Sequence, residues 1–168
     1  MSPAKSEDTF RLKISGSNEE FLRTGDLGFM HKGELFVVSR IKDTIIIRGR
    51  NIYPFDVEEI CKNISPYLSS ESIAAFPIKI NQSEGLAVAI EMTRTGRHFN
   101  DFSETIKDIR SAIVRELGIA PSKIYLVRPG AIPKTTSGKV MRAKTKSMAE
   151  KGIYDCLLYT SPSPRDRG

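Results

Sequence analysis

The sequence is poor in the side chains that build disulfide and metal scaffolds. It holds 2 cysteines, Cys61 and Cys156, and 2 histidines in 168 residues. No CxxC spacing is present, which excludes a disulfide framework and a cysteine-rich zinc site. His31 and His98 stand apart without partners at metal-ligand spacing, so neither is expected to ligate a metal or act in catalysis. Long apolar runs are missing too: Ile45–Ile47 and Leu86–Ile90 are far too short to span a membrane. No charged start followed by an apolar core resembles a secretory signal. Together these absences predict a reducing, cytoplasmic compartment. The chain also lacks internal repeats and long blocks of like charge.

What remains is ordinary globular chemistry, 39% hydrophobic and 27% charged, in about one domain's length. Basic residues number 26 against 20 acidic, a net charge of +6. That excess suits an anionic partner such as nucleic acid, a membrane surface or a phosphorylated small molecule, and equally a plain solvated surface. The last segment differs from the rest. Cys156 to Asp166 reads CLLYTSPSPRD, with no periodicity joining it to what precedes. It resembles a translated sequencing-library adapter, so 156–168 is set aside as an artefact; the rival is a natural Ser-Pro linker. An adapter at one end predicts a gene fragment whose Met1 need not be the native start. Cys61 is then the one credible cysteine.

Periodicity predicts a small α+β domain. Residues 1–18 carry one short strand on the alternating Phe10, Leu12 and Ile14, and Glu20–Gly28 reads as a connector. Glu34–Val38 and Thr44–Ile47 read as a hairpin joined by Ser39–Asp43. Pro54 opens a helix with Val57, Ile60, Cys61 and Ile64 on one face, stopped by Pro66. Ile73–Ile78 and Leu86–Met92 read as strands around a polar Asn81–Gly85 turn. Phe102, Ile106, Ile109, Ile113 and Leu117 mark an amphipathic helix, capped by Asn100 or Asp101 and ended by Gly118. Ile124–Val127 is a further strand, and Gly138–Lys151 a basic helix. Helices covering an antiparallel or mixed sheet follow from this order.

Three segments carry chemistry. In Phe21-Leu22-Arg23-Thr24-Gly25-Asp26-Leu27-Gly28, glycines flank an aspartate whose carboxylate can accept two hydrogen bonds from a vicinal diol such as a ribose; such a pattern is also an ordinary turn. The second runs from Ser39-Arg40-Ile41-Lys42-Asp43 to Arg48-Gly49-Arg50 and on to Glu58. Its guanidinium groups can fork onto phosphate oxygens, or can merely guard a strand edge. The third is Pro133-Lys134-Thr135-Thr136-Ser137-Gly138-Lys139-Val140-Met141-Arg142. Its small polar loop is expected to lead straight into a helix N-terminus, with Lys139 a mobile cation beside free N–H groups. A Walker P-loop is excluded, because Pro133 stands where the first glycine belongs and Val140 where Ser or Thr is needed. A capped helix start with an exposed lysine is the plainer alternative.

Taken in this order, the three segments resemble the adenylate-forming superfamily of acyl-CoA synthetases, peptide-synthetase adenylation domains and luciferase, over roughly residues 9–151. The Phe-Leu-Arg-Thr-Gly-Asp-Leu-Gly and Ile-Ile-Ile-Arg-Gly-Arg-Asn-Ile-Tyr-Pro strings, with Asp56 where many relatives have Glu, are most similar to fatty acyl-AMP ligases. The resemblance implies a C-terminal mobile lobe: an N-terminal β-hairpin plus a three-stranded sheet, flanked by helices. It implies that 1–39 end a large N-terminal domain, that 40–42 are a hinge and that 43–155 are the lobe. The phosphate loop, adenine pocket, acyl tunnel and the insertion that best separates the branches would lie in the absent N-terminal domain, leaving this fragment inactive alone.

The roles implied are specific. Asp26 would bind the ATP ribose, Arg40 the ribose or phosphates, and Lys42 would be the hinge residue. Arg48, Gly49 and Arg50 would enter the site in a second conformation. Lys139 would bridge the acyl carboxylate and the α-phosphate. ATP, Mg²⁺, a fatty acid and an acyl carrier protein are the implied substrates and partners, with CoA as the alternative acceptor. The Pro-x₄-Gly-Lys spacing also resembles a lysine-acetylase target, which would place a modification on Lys139. Ser39 departs from the family's usual Gly, and a side chain there stiffens the hinge turn or shifts its φ preference. A basic nucleic-acid module is the reading from another class, with Tyr53, Phe55 and Tyr67 near the basic hairpin; helix-entry packing is the simpler role for Tyr53 and Phe55.

Overall fold

The computed structural model describes residues 12–13, 20–80, 83–98 and 101–154. The adapter-like segment, Phe10 and Ile14 lie outside them. The chain divides into two compact units at Thr44/Ile45.

The first unit is built from antiparallel pairs. β1 (Leu12–Lys13) pairs with β2 (Glu20–Phe21), and β3 (Asp26–His31) pairs with β4 (Glu34–Arg40). Lys32 and Gly33, both at positive φ, close β3 on β4 in a two-residue turn. At the bulge between Leu27 and Gly28 the strands approach closely. A Cβ on Gly28 would lie 2.5 Å from the Phe36 carbonyl oxygen, so only glycine fits. Phe29 and Phe36 stack at 5.3 Å, yet Leu27, Phe29, Met30, Leu35, Phe36 and Val37 all remain exposed. A 3₁₀ turn, Ile41–Asp43, follows β4.

Two expectations are corrected here. Glu20–Gly28 is not merely a connector, because it holds β2 and the start of β3. Glu34–Val38 does not pair with Thr44–Ile47; β4 belongs to β3, and β5 (Ile45–Ile47) pairs with β6 (Arg50–Ile52). The physical reason is turn chemistry. Arg48 and Gly49 adopt φ of 51° and 76°, as a two-residue primed turn requires. Lys-Gly and Arg-Gly supply that geometry in place of the usual Asn-Gly, which hides the two hairpins from a sequence reading.

The second unit is a mixed sheet between two layers. β7 (Leu68–Ile80), β8 (Ser83–Met92) and β9 (Lys123–Val127) lie in the order β7-β8-β9, with β7 antiparallel and β9 parallel to β8. Alternation divides the side chains between faces. Ile73, Ala75, Leu86, Val88, Ile90, Ile124 and Leu126 face one core, closed by β5–β6, α1 (Pro54–Cys61) and α2 (Ser103–Leu117). Ala74, Phe76, Ala87, Ala89, Tyr125 and Val127 face the other, closed by Ile132, Tyr154 and α3 (Arg142–Glu150). Small alanines on β8 leave room for the Phe76, Tyr125 and Tyr154 rings, whose successive centroids lie 6.5 and 5.8 Å apart.

The predicted strands and the long helix are present, with moved ends. Pairing runs to Ile80↔Ser83 and Gly85 pairs with Ile78, so Ser83–Gly85 belong to β8 rather than to the predicted Asn81–Gly85 turn, whose Asn81 and Gln82 lie outside the described residues. α1 stops at Cys61 rather than at Pro66, leaving Ile64 packed on the core from outside the helix. Asp101 accepts the Ser103 N–H at 2.8 Å, and Gly118 ends α2 in the left-handed region. Phe55 is exposed on α1, so it is not helix-entry packing.

Candidate functional site

Within the first unit the structure brings Asp26 and Arg40 together. They occupy opposite positions of the β3–β4 ladder, and Arg40 Nε lies 3.3 Å from Asp26 Oδ1. Thr24 Oγ1 accepts the Asp26 N–H at 3.2 Å, and the Gly25 carbonyl accepts the Ile41 N–H at 2.9 Å. A carboxylate and a guanidinium are thus fixed side by side at one end of a hairpin, both open to solvent. Lys42 sits exposed in the following 3₁₀ turn.

In the second unit Arg48 and Gly49 form the exposed tip of β5–β6. Arg48 holds a left-handed backbone that costs a non-glycine residue about 1 kcal/mol. Arg50 reaches back toward the C-terminal end of α2: its Nη1 lies 3.3 Å from where a Cβ on Gly118 would stand. A cation is favourable there against the helix dipole.

Lys139 is exposed on a closed loop, and here the sequence expectation is corrected. The helix begins at Arg142, not at Gly138. Residues 133–141 bend into a small hairpin through a Lys134↔Val140 bridge, with the Met141 N–H donating to the Pro133 carbonyl at 2.9 Å. Thr135 brackets Lys139 at both backbone groups: its N–H donates to the Lys139 carbonyl at 2.8 Å, and its Oγ1 accepts the Lys139 N–H at 3.1 Å. The Gly138 N–H donates to the Thr135 carbonyl at 2.9 Å. These N–H groups are spent inside the loop, so they do not form the open anion cradle expected of a helix start. The loop presents a lysine side chain on a self-bonded frame.

Three residues around this loop carried no assigned role in the sequence. Glu58 on α1 is buried and forks onto Arg142, with Nε–Oε1 and Nη2–Oε2 both 2.6 Å. The same Oε1 accepts the Ala75 N–H of β7 at 3.0 Å. Glu91 at the end of β8 is also buried and accepts the Ile132 N–H at 2.7 Å. The available signal was a charge inside the apolar stripe of Val57, Glu58 and Cys61, and another ending the apolar run of β8.

Cys61 lies on α1 with its thiol buried. Burial foremost, and then the Glu58 carboxylate one turn away, push its pKa from 9.0 up to about 12. The thiol is therefore neutral and unreactive in the folded chain. Alkylation at pH 8 is expected to spare Cys61 until denaturant is added, read by peptide mass spectrometry. The unfolded thiol releases its proton at lower pH than the folded one, so above about pH 9 the unfolded state binds fewer protons and stability falls as pH rises.

Among the described residues no group of three His, Cys, Asp or Glu could hold a metal ion. His98 Nε2 accepts from Arg97 Nε at 2.9 Å, and the His31 ring packs edge-on to Phe36. Among the described residues no helix is long and apolar enough to cross a membrane.

In the second unit, a mixed sheet between two layers thus carries the self-bonded loop on which Lys139 is exposed. A family model described as the AMP-binding enzyme C-terminal domain matches residues 49–146, and the chain belongs to that family. It is 40% identical over 152 residues to the medium-chain-fatty-acid–[acyl-carrier-protein] ligase JamA of Moorena producens, covering 90% of this chain and 26% of that protein. It is 36% identical over 151 residues to the putative fatty-acid–CoA ligase fadD25 of Mycobacterium tuberculosis, covering 84% of this chain and 25% of that protein. Among solved structures, a fatty acyl-adenylate ligase from a study of the Escherichia coli and Legionella pneumophila enzymes superposes with a TM-score of 0.63. There the identity is 36%, over 81% of this chain and 24% of that one. The chain spans about a quarter of the length of the relatives it matches. Family membership displaces the nucleic-acid reading of the basic charge.

Proposed function

We propose that this chain is the C-terminal lobe of an ATP-dependent fatty acid ligase. The intact enzyme adenylates a carboxylate to acyl-AMP, releases pyrophosphate and passes the acyl group to an acyl carrier protein. The carrying observation is the exposed Lys139 on its self-bonded loop, in a chain 40% identical to a protein named as a fatty-acid–carrier-protein ligase.

The chemistry asks for such a lysine. A carboxylate attacking an α-phosphate brings two anions together, and a fixed ammonium between them stabilises the charge spreading through the transition state. Lys139 supplies that cation. Asp26 accepts hydrogen bonds from the ribose hydroxyls, and the adjacent Arg40 orients its carboxylate and faces the ribose or phosphates. Mg²⁺, held by the other domain, would neutralise the pyrophosphate; no residue of this chain is assigned to it.

Transfer is a second reaction at the same place and needs a second arrangement. Rotation of the lobe about Lys42 exchanges Lys139 for the Arg48–Gly49–Arg50 tip. Residues 1–39 belong with the N-terminal domain and 43–155 with the mobile lobe. The exposed apolar hairpin β3–β4 supports a missing neighbour, because a patch of that kind marks an interaction surface. Acetylation of Lys139 would remove its charge and stop the first reaction. The enzyme acts in the cytoplasm.

A CoA thioester is the second reading, favoured by the 36% identity to a protein named as a putative fatty-acid–CoA ligase. The intact ligase, given ATP and a fatty acid, separates the two. Acyl transfer to carrier protein well above transfer to CoA is expected. Preference for CoA would overturn the assignment of acceptor, and absence of pyrophosphate release would overturn the reaction.

A further inference from the structure

We propose that Glu58 and Glu91 are positioning residues that clamp the two ends of the Lys139 loop. The proposal rests on the reading of Lys139 given above for its consequence in catalysis, but not for its geometry.

The loop leaves the sheet after β9 and returns as α3. At its start, Glu91 accepts the Ile132 N–H at 2.7 Å across 41 residues of sequence. At its end, Glu58 holds the Arg142 guanidinium by two bonds of 2.6 Å across 84 residues. Glu58 is anchored in turn on β7 through the Ala75 N–H. Each carboxylate is buried, and one belongs to a helix on one face of the sheet while the other ends the central strand. Between the clamped ends the nine residues 133–141 form the hairpin that brackets Lys139 by its own N–H and carbonyl. Fixing both ends of such a frame fixes the direction in which the Lys139 side chain leaves it.

Two buried carboxylates are a costly way to gain stability. A buried ion pair repays its desolvation only with good geometry, and apolar side chains of like volume would hold the lobe as well. What apolar packing does not supply is a directional bond to one chosen N–H or one guanidinium plane. Both carboxylates are aimed at the residues bordering the loop. Their bonds therefore serve placement of the loop more than cohesion of the core. Tyr154 adds to the start of the loop, its hydroxyl donating to the Ala131 carbonyl at 3.2 Å.

The test uses amide hydrogen exchange on the full 168-residue chain, with four variants. Arg142→Met removes the fork, and Glu91→Leu removes the acceptor of the Ile132 N–H. Glu58→Gln keeps an acceptor for Ala75 but loses the ion pair. Glu91→Gln keeps its acceptor and serves as the rescue. Arg142→Met, Glu58→Gln and Glu91→Leu are expected to speed exchange at Thr135, Gly138, Lys139 and Met141 by roughly tenfold or more, while Val88 and Ile90 in β8 keep their protection. Glu91→Gln should retain the parent rates. Unchanged exchange at the loop, or loosening only in step with β8, overturns the clamp.

In the intact ligase, Arg142→Met should lower adenylation on the order of 10²-fold with transfer from preformed acyl-adenylate preserved. If the loop loosens and adenylation does not change, the clamp stands and the role given to Lys139 falls.

Discussion

Replacing Lys139 with alanine in the intact ligase is expected to lower acyl-adenylate formation by at least about 10²–10³-fold, the usual cost of losing one preorganised charge-stabilising group. The lysine is exposed, and its backbone is held by Thr135. The substitution therefore removes a cation without opening a cavity or stranding a polar partner. Thermal unfolding should stay within about 0.5 kcal/mol of the parent, as for other surface changes. Transfer of the acyl group from preformed adenylate should persist, because the proposed rotation assigns that half-reaction to the Arg48–Gly49 tip. Pyrophosphate exchange measures the first step and acceptor acylation the second. Equal losses in both would show that Lys139 is not specific to adenylation.

The largest stability effect is expected at Ile90. It is fully buried on the central strand, paired with Ile73 on one side and Leu126 on the other. Ile90→Ala removes three carbons from a site walled on two sides by strands that cannot close the gap. Such substitutions cost about 2–5 kcal/mol, a large share of the 5–15 kcal/mol that typically holds a domain of roughly this size. The midpoint of thermal unfolding should fall on the order of 10 °C. Ile46→Ala on β5 is the control, since this residue is 53% exposed, and a shift under about 0.5 kcal/mol is expected. Similar shifts for both would mean that the two-layer core is wrongly drawn.

The sequence revealed the elements with strong periodicity. The amphipathic face of α2 repeats at helical spacing, and Gly118 ends it; local rules suffice there. The strands β7 and β8 were visible as short apolar runs of Ala, Val, Ile and Phe, although they are buried on both faces and so lack strict alternation. The first hairpins were misread because pairing is a non-local choice. Lys32–Gly33 and Arg48–Gly49 close turns whose positive φ at a basic residue has no sequence signature.

The candidate site divides in the same way. Asp26, Arg40 and Lys139 stood out as charges in glycine-rich segments, and their family was legible in the order of the motifs. The loop around Lys139 was misread as a helix start, because Gly138 and the small polar residues before it fit a cap as well as a turn. Glu58 and Glu91 drew no attention as functional groups. A glutamate reads as a surface residue until something distant is found opposite it.

By itself the sequence determined the family and which residues are candidates for its chemistry, because charge, glycine placement and the Pro-to-Lys spacing are local properties written in adjacent residues. Only the tertiary structure decided how that chemistry is held. The bonds from Glu58 to Arg142 and from Glu91 to Ile132 span 84 and 41 residues. Such partners are chosen by the packing of the whole lobe around its sheet, and no window of neighbouring residues contains both ends.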